Sequence, residues 1–324
     1  MFSPKQTTVN RELEEGNLKL TKIIIVFFLF TALTFSSVQP ALCWSNGGYS
    51  DNPAQPKYGT HDWIAQHALD WLPTEQKKYI TDNLAAYLYG TELPDNSQAD
   101  DGIGDTGKHH IYFTADGSMQ DDAAAQRASD EYQKALNYLK NKDYTNAAKT
   151  AGIMTHYIAD VAVFGHMMGS KTHWGTEVHH SDYESYVDDR TGAYDSNFNS
   201  YLHFDGVLTT TSAYNVAKNI AYDTTFGGSG NLTCVWMDHN FNWNNPTFAS
   251  RCGQSLNLAV NGVADILYTL YQAASSSSDP TSTSNQSTQN PTVPEFPTIL
   301  ILAVAMLAVM VTAIAYKKKQ TSPF

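Results

Sequence analysis

Five residues in the middle of the chain have the types and spacing of a metal site: His156, Asp160, His166, His180 and Glu184. His156 and Asp160 are four apart, and so are His180 and Glu184, so on a helix each pair shares one face. An imidazole and a carboxylate pointing the same way can hold one ion, and they are the natural donors for Zn²⁺ in a hydrolytic site. His166 falls where the first helix should end and supplies a fifth donor. A single His–Asp pair would read as scattered polar groups. Two pairs and a further histidine within one short stretch point to metal.

Two other groups precede this one. Asp95 ends the run Gly90-Thr91-Glu92-Leu93-Pro94-Asp95, and Asp100, Asp101, Asp105 and His109-His110 follow it. Loop acids beside a histidine pair could bind metal or form a solvated turn, and the spacing leaves both open. Earlier still, His61 sits in Thr60-His61-Asp62-Trp63-Ile64, where a lone histidine at a helix start is ordinarily structural.

The elements that must carry these residues read as helices. Apolar residues at helical period place helices over 61–72 and 144–168, a long polar helix runs over 120–141, and further helices run over 176–187, 212–222 and 254–273. Pro73 breaks the first, and Thr74 can cap a second helix running to about 89. Residues 90–107 are a loop rich in Asp, Gly and Asn, 191–201 are loop, and 226–250 are irregular. No repeat is evident, and no alternating pattern is long enough to suggest a sheet, so the expected class is all-α.

Both ends stand outside that fold. Arg11, Lys19 and Lys22 precede an apolar run over 23–35, and Ala41 and Cys43 are small residues placed for cleavage after Cys43, the layout of a signal peptide over 1–43. A second apolar run over 299–315 is followed by Lys317-Lys318-Lys319. It predicts a transmembrane helix over 298–316 with a cytoplasmic tail over 317–324. Residues 275–297 are Ser, Thr, Asn, Gln and Pro with almost nothing apolar, a linker that cannot bury a core. The folded part is then 44–274, one exported domain tethered at the cell surface.

The net charge of −12 argues against duplex nucleic acid held on a broad basic surface, but not against a phosphate ester held by cations. Of three cysteines, Cys43 leaves with the signal peptide, and export predicts a disulfide between Cys234 and Cys252. Asn231-Leu232-Thr233 is a glycosylation sequon. Oligomeric state is not encoded in any of these features.

The pattern His156-x3-Asp160-x5-His166-x13-His180-x3-Glu184 resembles the ligand pattern of the zinc-dependent phospholipases C, a family related to the single-strand-specific zinc nucleases. In that family a mature N-terminal tryptophan also binds zinc, and Trp44 stands where cleavage would create such a terminus. His61 lies in a Thr-His-x-x-Ile helix start like the family's early histidine. The resemblance implies a multi-helix bundle of the phospholipase C/nuclease type and a site for three Zn²⁺ ions. Carried over residue by residue, His156, Asp160, Asp95 and His110 would hold one ion, and His166, His180 and Glu184 a second. Trp44, His61 and a bridging Asp160 would hold the third. His110 is chosen over His109 for the Ile111-Tyr112 that follows it, and His180 over His179 for its step to Glu184. Asp95 would also orient or deprotonate the attacking water. The implied substrate is a phospholipid head group, with single-stranded nucleic acid stacked on Trp174, Trp236 or Trp243 as the alternative. A zinc-stabilised binding module without turnover is the non-enzymatic alternative. Two features depart from the family: Val161-Ala162-Val163-Phe164-Gly165 replaces a segment that usually holds a polar residue and a proline, and no counterpart of the choline-pocket residues is clear.

Overall fold

In a computed structural model, residues 47–276 are described. The expected signal peptide, Trp44, the span over 298–316, the tail and nearly all of the linker lie outside them. Among the described residues no helix is long and apolar enough to cross a membrane.

Nine α-helices are described: α1 (Thr60–Ala68), α2 (Thr74–Thr81), α3 (Leu84–Glu92), α4 (Ala123–Lys140), α5 (Tyr144–Asp160), α6 (His180–Thr191), α7 (Ala213–Phe226), α8 (Cys234–His239) and α9 (Pro246–Ser275). The helical class expected from the sequence holds for the described residues, with one small addition. Two short antiparallel strands, Tyr112–Phe113 and Met119–Asp121, form a ribbon joined through Asp116-Gly117. They are too short to alternate visibly, but Asp-Gly is a strong turn signal.

Helix α5 is the hub. It packs most extensively against α3 and α4, and also meets α1, α2, α7 and α9. From Ala151 to Asp160 every residue is buried, so its polar residues must be satisfied from other elements. The α3–α5 crossing is set by glycine. A Cβ on Gly90 would lie 2.1 Å from the Lys149 carbonyl oxygen, and one on Gly152 would lie 2.0 Å from that of Tyr87. Only backbone against backbone allows this approach. It brings the Thr91 carbonyl to within 2.6 Å of His156 Nδ1.

Several boundaries differ from expectation. The helix expected over 74–89 is two helices, because the Asn83 side chain donates to the Tyr79 carbonyl and ends α2. Pro73, not Thr74, holds the cap position of α2, and no side chain caps it. The helix expected to run to 168 stops at Asp160, then tightens into the 3₁₀ turn Phe164–Met167. β-branched Val161 and Val163 flank that break, and the turn sends His166 back toward Asp160. Helix α9 starts eight residues early, with Asn245 capping it and Pro246 in its first turn.

The expected disulfide is absent: Cys234 and Cys252 are both free and buried. Each packs as a small apolar residue, Cys234 at the start of α8 and Cys252 within α9. Burial pushes both thiols up to about 12.

A second feature of α9 lies on its outer face. Residues 203–211 run extended alongside it. The backbone N–H groups of His203, Asp205, Thr209 and Thr211 donate to Asn257 Oδ1, Asn261 Oδ1, Asp265 Oδ1 and Thr269 Oγ1. The four side chains are four residues apart, one helical stripe. The N–H groups that meet them step by two residues from 203 to 205 and from 209 to 211, but by four from 205 to 209. Two extended residues and four helical ones cover similar lengths, about 6–7 Å, so each two-residue step keeps pace with one helical step. The longer step from 205 to 209 takes up a turn at Gly206, where φ is +95° and the Val207 N–H donates to Asp205 Oδ1.

Candidate metal centre

Asp160, fully buried at the end of α5, is the point on which the donors converge. His156 Nε2 and His109 Nδ1 each lie 2.9 Å from its Oδ2. His61 Nε2 lies 3.2 Å, and His166 Nε2 3.9 Å, from its Oδ1. His61 arrives on the first turn of α1, where Asp62 fixes the helix start by accepting from the Gly59 N–H and the Thr91 hydroxyl. Its ring stacks on that of His156 at 3.9 Å. Asp95 Oδ1 lies 3.4 Å from His109 Nδ1 and 3.7 Å from His156 Nε2. Unlike Asp160 and Glu184, Asp95 retains some solvent contact.

A second group adjoins this one. His180 Nε2 lies 2.9 Å and His166 Nε2 3.5 Å from Glu184 Oε1. Gly165 makes room for it: a Cβ there would sit 2.5 Å from the His180 ring. Three sets of donors are thereby brought within 4.8 Å of one another: His61/Asp95/His156, His109/His156/Asp160 and His166/His180/Glu184.

His109, not the expected His110, is the histidine that enters the cluster. The 3₁₀ turn Thr106–Lys108 delivers the chain so that His109 is buried, while His110 turns outward onto Tyr112 and faces Asp121 at 3.3 Å. The sequence-based preference used the residues after the pair and missed this turn. Of the other loop acids, Asp101 takes the Tyr89 hydroxyl and Lys149 at the surface. Of the second pair, His180 faces Glu184, while His179 stacks on Phe241 beside Asp238.

Other groups hold the outer ring nitrogens, and of these the sequence reading named only Asp105 as a candidate, among the loop acids. His156 Nδ1 donates to the Thr91 carbonyl, His180 Nδ1 faces Glu177 at 3.4 Å, and His109 Nε2 faces Asp105 at 3.4 Å. A partner on the outer nitrogen leaves the other nitrogen to face an ion, which is how metal-binding histidines are ordinarily held.

The inner atoms are buried yet unsatisfied. Both ring nitrogens of His61, both oxygens of Asp160, His166 Nε2 and Glu184 Oε2 have no hydrogen-bond partner. His61 Nε2 and His166 Nε2 approach Asp160 Oδ1 at ion-pair distance without hydrogen-bond geometry. Buried polar atoms are rarely left so, and cations among them would satisfy His61 Nε2, His166 Nε2 and the carboxylate oxygens. The donor set, imidazole and carboxylate without thiolate, fits zinc in a hydrolytic site.

The electrostatics follow from this crowding. Burial alone would raise the Asp160 carboxyl, but His156, His166 and His61 around it outweigh that and hold it well below its usual range. Burial drives His166 well below its ordinary value. His180 is opposed by burial but raised to about 10 by Glu184 and Glu177. Burial pushes Glu184 up to about 8 against the pull of His180. The buried Glu184–His180 pair therefore retains a proton well above neutrality.

Residues 60–224 match the sequence model of the zinc dependent phospholipase C family. The chain belongs to the zinc dependent phospholipase C family. The resemblance drawn from the ligand pattern is thereby borne out, and the match spans every proposed ligand except Trp44. Among solved structures the chain is similar to the alpha toxin from Clostridium absonum, at 16% identity and a TM-score of 0.48, covering 71% of this chain and 66% of that one. It is also similar to the alpha-toxin of Clostridium perfringens from avian strain SWCP, at 15% identity and a TM-score of 0.43, covering 72% and 68%. No curated protein matches the chain.

Proposed function

We propose that the chain is a phospholipase C-type phosphodiesterase that cleaves phospholipid head groups at a site for three Zn²⁺ ions. The observation that carries this is the set of buried, unsatisfied nitrogens and oxygens around Asp160 and Glu184, in a chain of this family. Asp95, His109, His156 and Asp160 would hold one ion, and His166, His180 and Glu184 a second. His61 and Asp160 would hold the third together with the Trp44 amine. The Tyr49 hydroxyl donates to the Asp95 carbonyl and the Ser50 N–H to Glu92, so the chain reaches the cluster five residues after Trp44. This supports a place for Trp44 at the third site.

Zinc, when bound, would supply Lewis-acid activation of water and of the phosphoryl oxygens. The residues of the chain do the rest. Asp160 and Glu184, shut off from solvent, hold their charge toward the centre. Asp95, in reach of solvent, orients the attacking water and accepts its proton. Two of the three tryptophans suggested for stacking bases are engaged otherwise. Trp243 lies face to face with Tyr186 at 3.8 Å, and Trp174 donates to the Phe113 carbonyl and packs on Phe226. An exported domain tethered through 298–316 would hold this site beside a bilayer.

Product release from phosphatidylcholine vesicles and from single-stranded DNA, each with and without chelator, tests the proposal. Chelator-sensitive release of phosphorylated head group, with about three zinc ions per chain, is the expected outcome. Cleavage of DNA alone would make the chain a nuclease. No cleavage of either, with chelator lowering only the melting temperature, would make it a zinc-stabilised binding module.

A further inference from the structure

We infer that Asp105, held by Arg127 and Tyr157, is a positioning residue that fixes the tautomer of His109 so that this histidine meets its ion through Nδ1. The inference rests on the zinc reading above. His61, His156, His166 and His180 all turn Nε2 toward Asp160 or Glu184. His109 is reversed: its Nδ1 faces Asp160, Asp95 and His156 Nε2, while its Nε2 points outward to Asp105 Oδ1. A neutral imidazole carries its one proton on either nitrogen, and only the other can ligate. For His109 to serve, the proton must sit on Nε2, which needs an acceptor there that cannot become a donor.

Asp105 is built to be that acceptor. Arg127 Nε donates to its Oδ2 at 2.7 Å, and the Tyr157 hydroxyl donates to its Oδ1, also at 2.7 Å. Arg127 also donates to the Tyr157 oxygen at 3.0 Å and pairs with buried Glu131 at 3.0 Å. Both carboxylate oxygens therefore already receive hydrogen bonds. The guanidinium comes from α4, which carries no ligand, and the hydroxyl from α5 next to His156, so the carboxylate is fixed between two packed helices.

The arrangement makes Asp105→Asn worse than Asp105→Ala. In the asparagine variant the charged Arg127 Nε still requires an oxygen, so the amide NH₂ turns toward His109 and toward the Tyr157 hydroxyl, which can rotate to accept from it whereas the guanidinium cannot. The amide then donates to Nε2, which moves the ring proton to Nδ1 and blocks the metal nitrogen. Alanine leaves Nε2 without a partner and the tautomer unfixed, a loss in the range of about 10–100-fold for an outer residue. The experiment measures zinc affinity by chelator competition for wild type and both variants, with melting of each zinc-free protein. Imidazole ¹⁵N shifts of His109 are recorded in the zinc-loaded wild type. Support is a wild-type ring protonated on Nε2 and metal-bound at Nδ1, with affinity falling further in the asparagine variant than in the alanine variant. An Nδ1-protonated ring in the loaded wild type overturns the inference, and needs no variant to fold. So does equal affinity for the two variants, or losses that track melting temperature alone. A wild-type chain that binds no zinc would instead remove the proposed function, and this inference with it.

Discussion

Two regions of the chain gather polar side chains along a helix with four-residue spacing, and they end in opposite states. On α9, Asn257, Asn261, Asp265 and Thr269 each accept from one backbone N–H of the extended segment beside them. Asn261 also donates to the His203 carbonyl, and Thr269 to that of Asp265. On α5, His156 and Asp160 show the same step, but Asp160 and its neighbours leave buried atoms without hydrogen bonds. The first pattern is complete within the protein. The second is complete only with something else present. An unsatisfied buried polar group costs about 1–3 kcal/mol, so a cluster of them is retained only where a bound group repays it. Spacing alone does not separate a structural stripe from a ligand stripe, but satisfaction of the atoms does.

The largest expected effect comes from the centre of the unsatisfied region. Asp160→Asn removes the one anionic side chain that four histidines share. Activity and zinc affinity should each fall by more than about 100-fold, the upper end of what an outer residue costs. A variant retaining wild-type zinc content would show that the convergence on Asp160 is not a metal site. Next is Gly165→Ala, whose Cβ would overlap the His180 ring. It should lower the zinc content by about one ion per chain. Overpacking would also cost about 1–3 kcal/mol of stability, read by denaturant melting. Unchanged stoichiometry would mean that His180 does not hold an ion of its own.

A pH series sharpens the same contrast. In the zinc-free chain, His180 is raised from 6.5 to about 10. Its contribution to stability is therefore fully present below about 6.5 and is lost as pH rises through about 10. Zinc must displace that proton. The gain in melting temperature on adding zinc should accordingly grow from pH 6.5 upward, because the zinc-free state weakens while the loaded state does not. A gain that is flat or shrinks over that range would exclude His180 as a ligand.

How far the sequence could show this depends on the range of each interaction. The core set, His156, Asp160, His166, His180 and Glu184, was legible because its pairs lie within single helices and the break after Asp160 is local. His109 was not separable from His110, since the choice turns on how the 3₁₀ turn at Thr106–Lys108 directs the chain. The outer partners were also out of reach: Asp105 and Arg127 are 22 residues apart and meet only through packing. The disulfide expectation failed for a related reason. Compartment and count can propose a bond, but only the packing of α8 and α9 decides whether two thiols face each other. The helical class survived because periodicity reports burial directly, whereas the two-strand ribbon is shorter than any period.

The smallest effect belongs to the satisfied region, and it is the control for the others. Asn261→Ala removes the acceptor of the Asp205 N–H and the donor to the His203 carbonyl. Both backbone groups lie at the surface, where water can replace the side chain. The cost should therefore be near the net value of a hydrogen bond, about 0.5–1.5 kcal/mol, with zinc content and activity unchanged. Thr269→Val, at a buried position, should cost at least as much, because the Thr211 N–H is less easily solvated there. If either variant lost zinc, the ladder would be coupled to the metal centre, and satisfaction of polar atoms would no longer divide the two stripes. If both lost stability alone, the same four-residue step would have been shown to serve two separate ends in one chain, distinguished by whether its atoms are already paired.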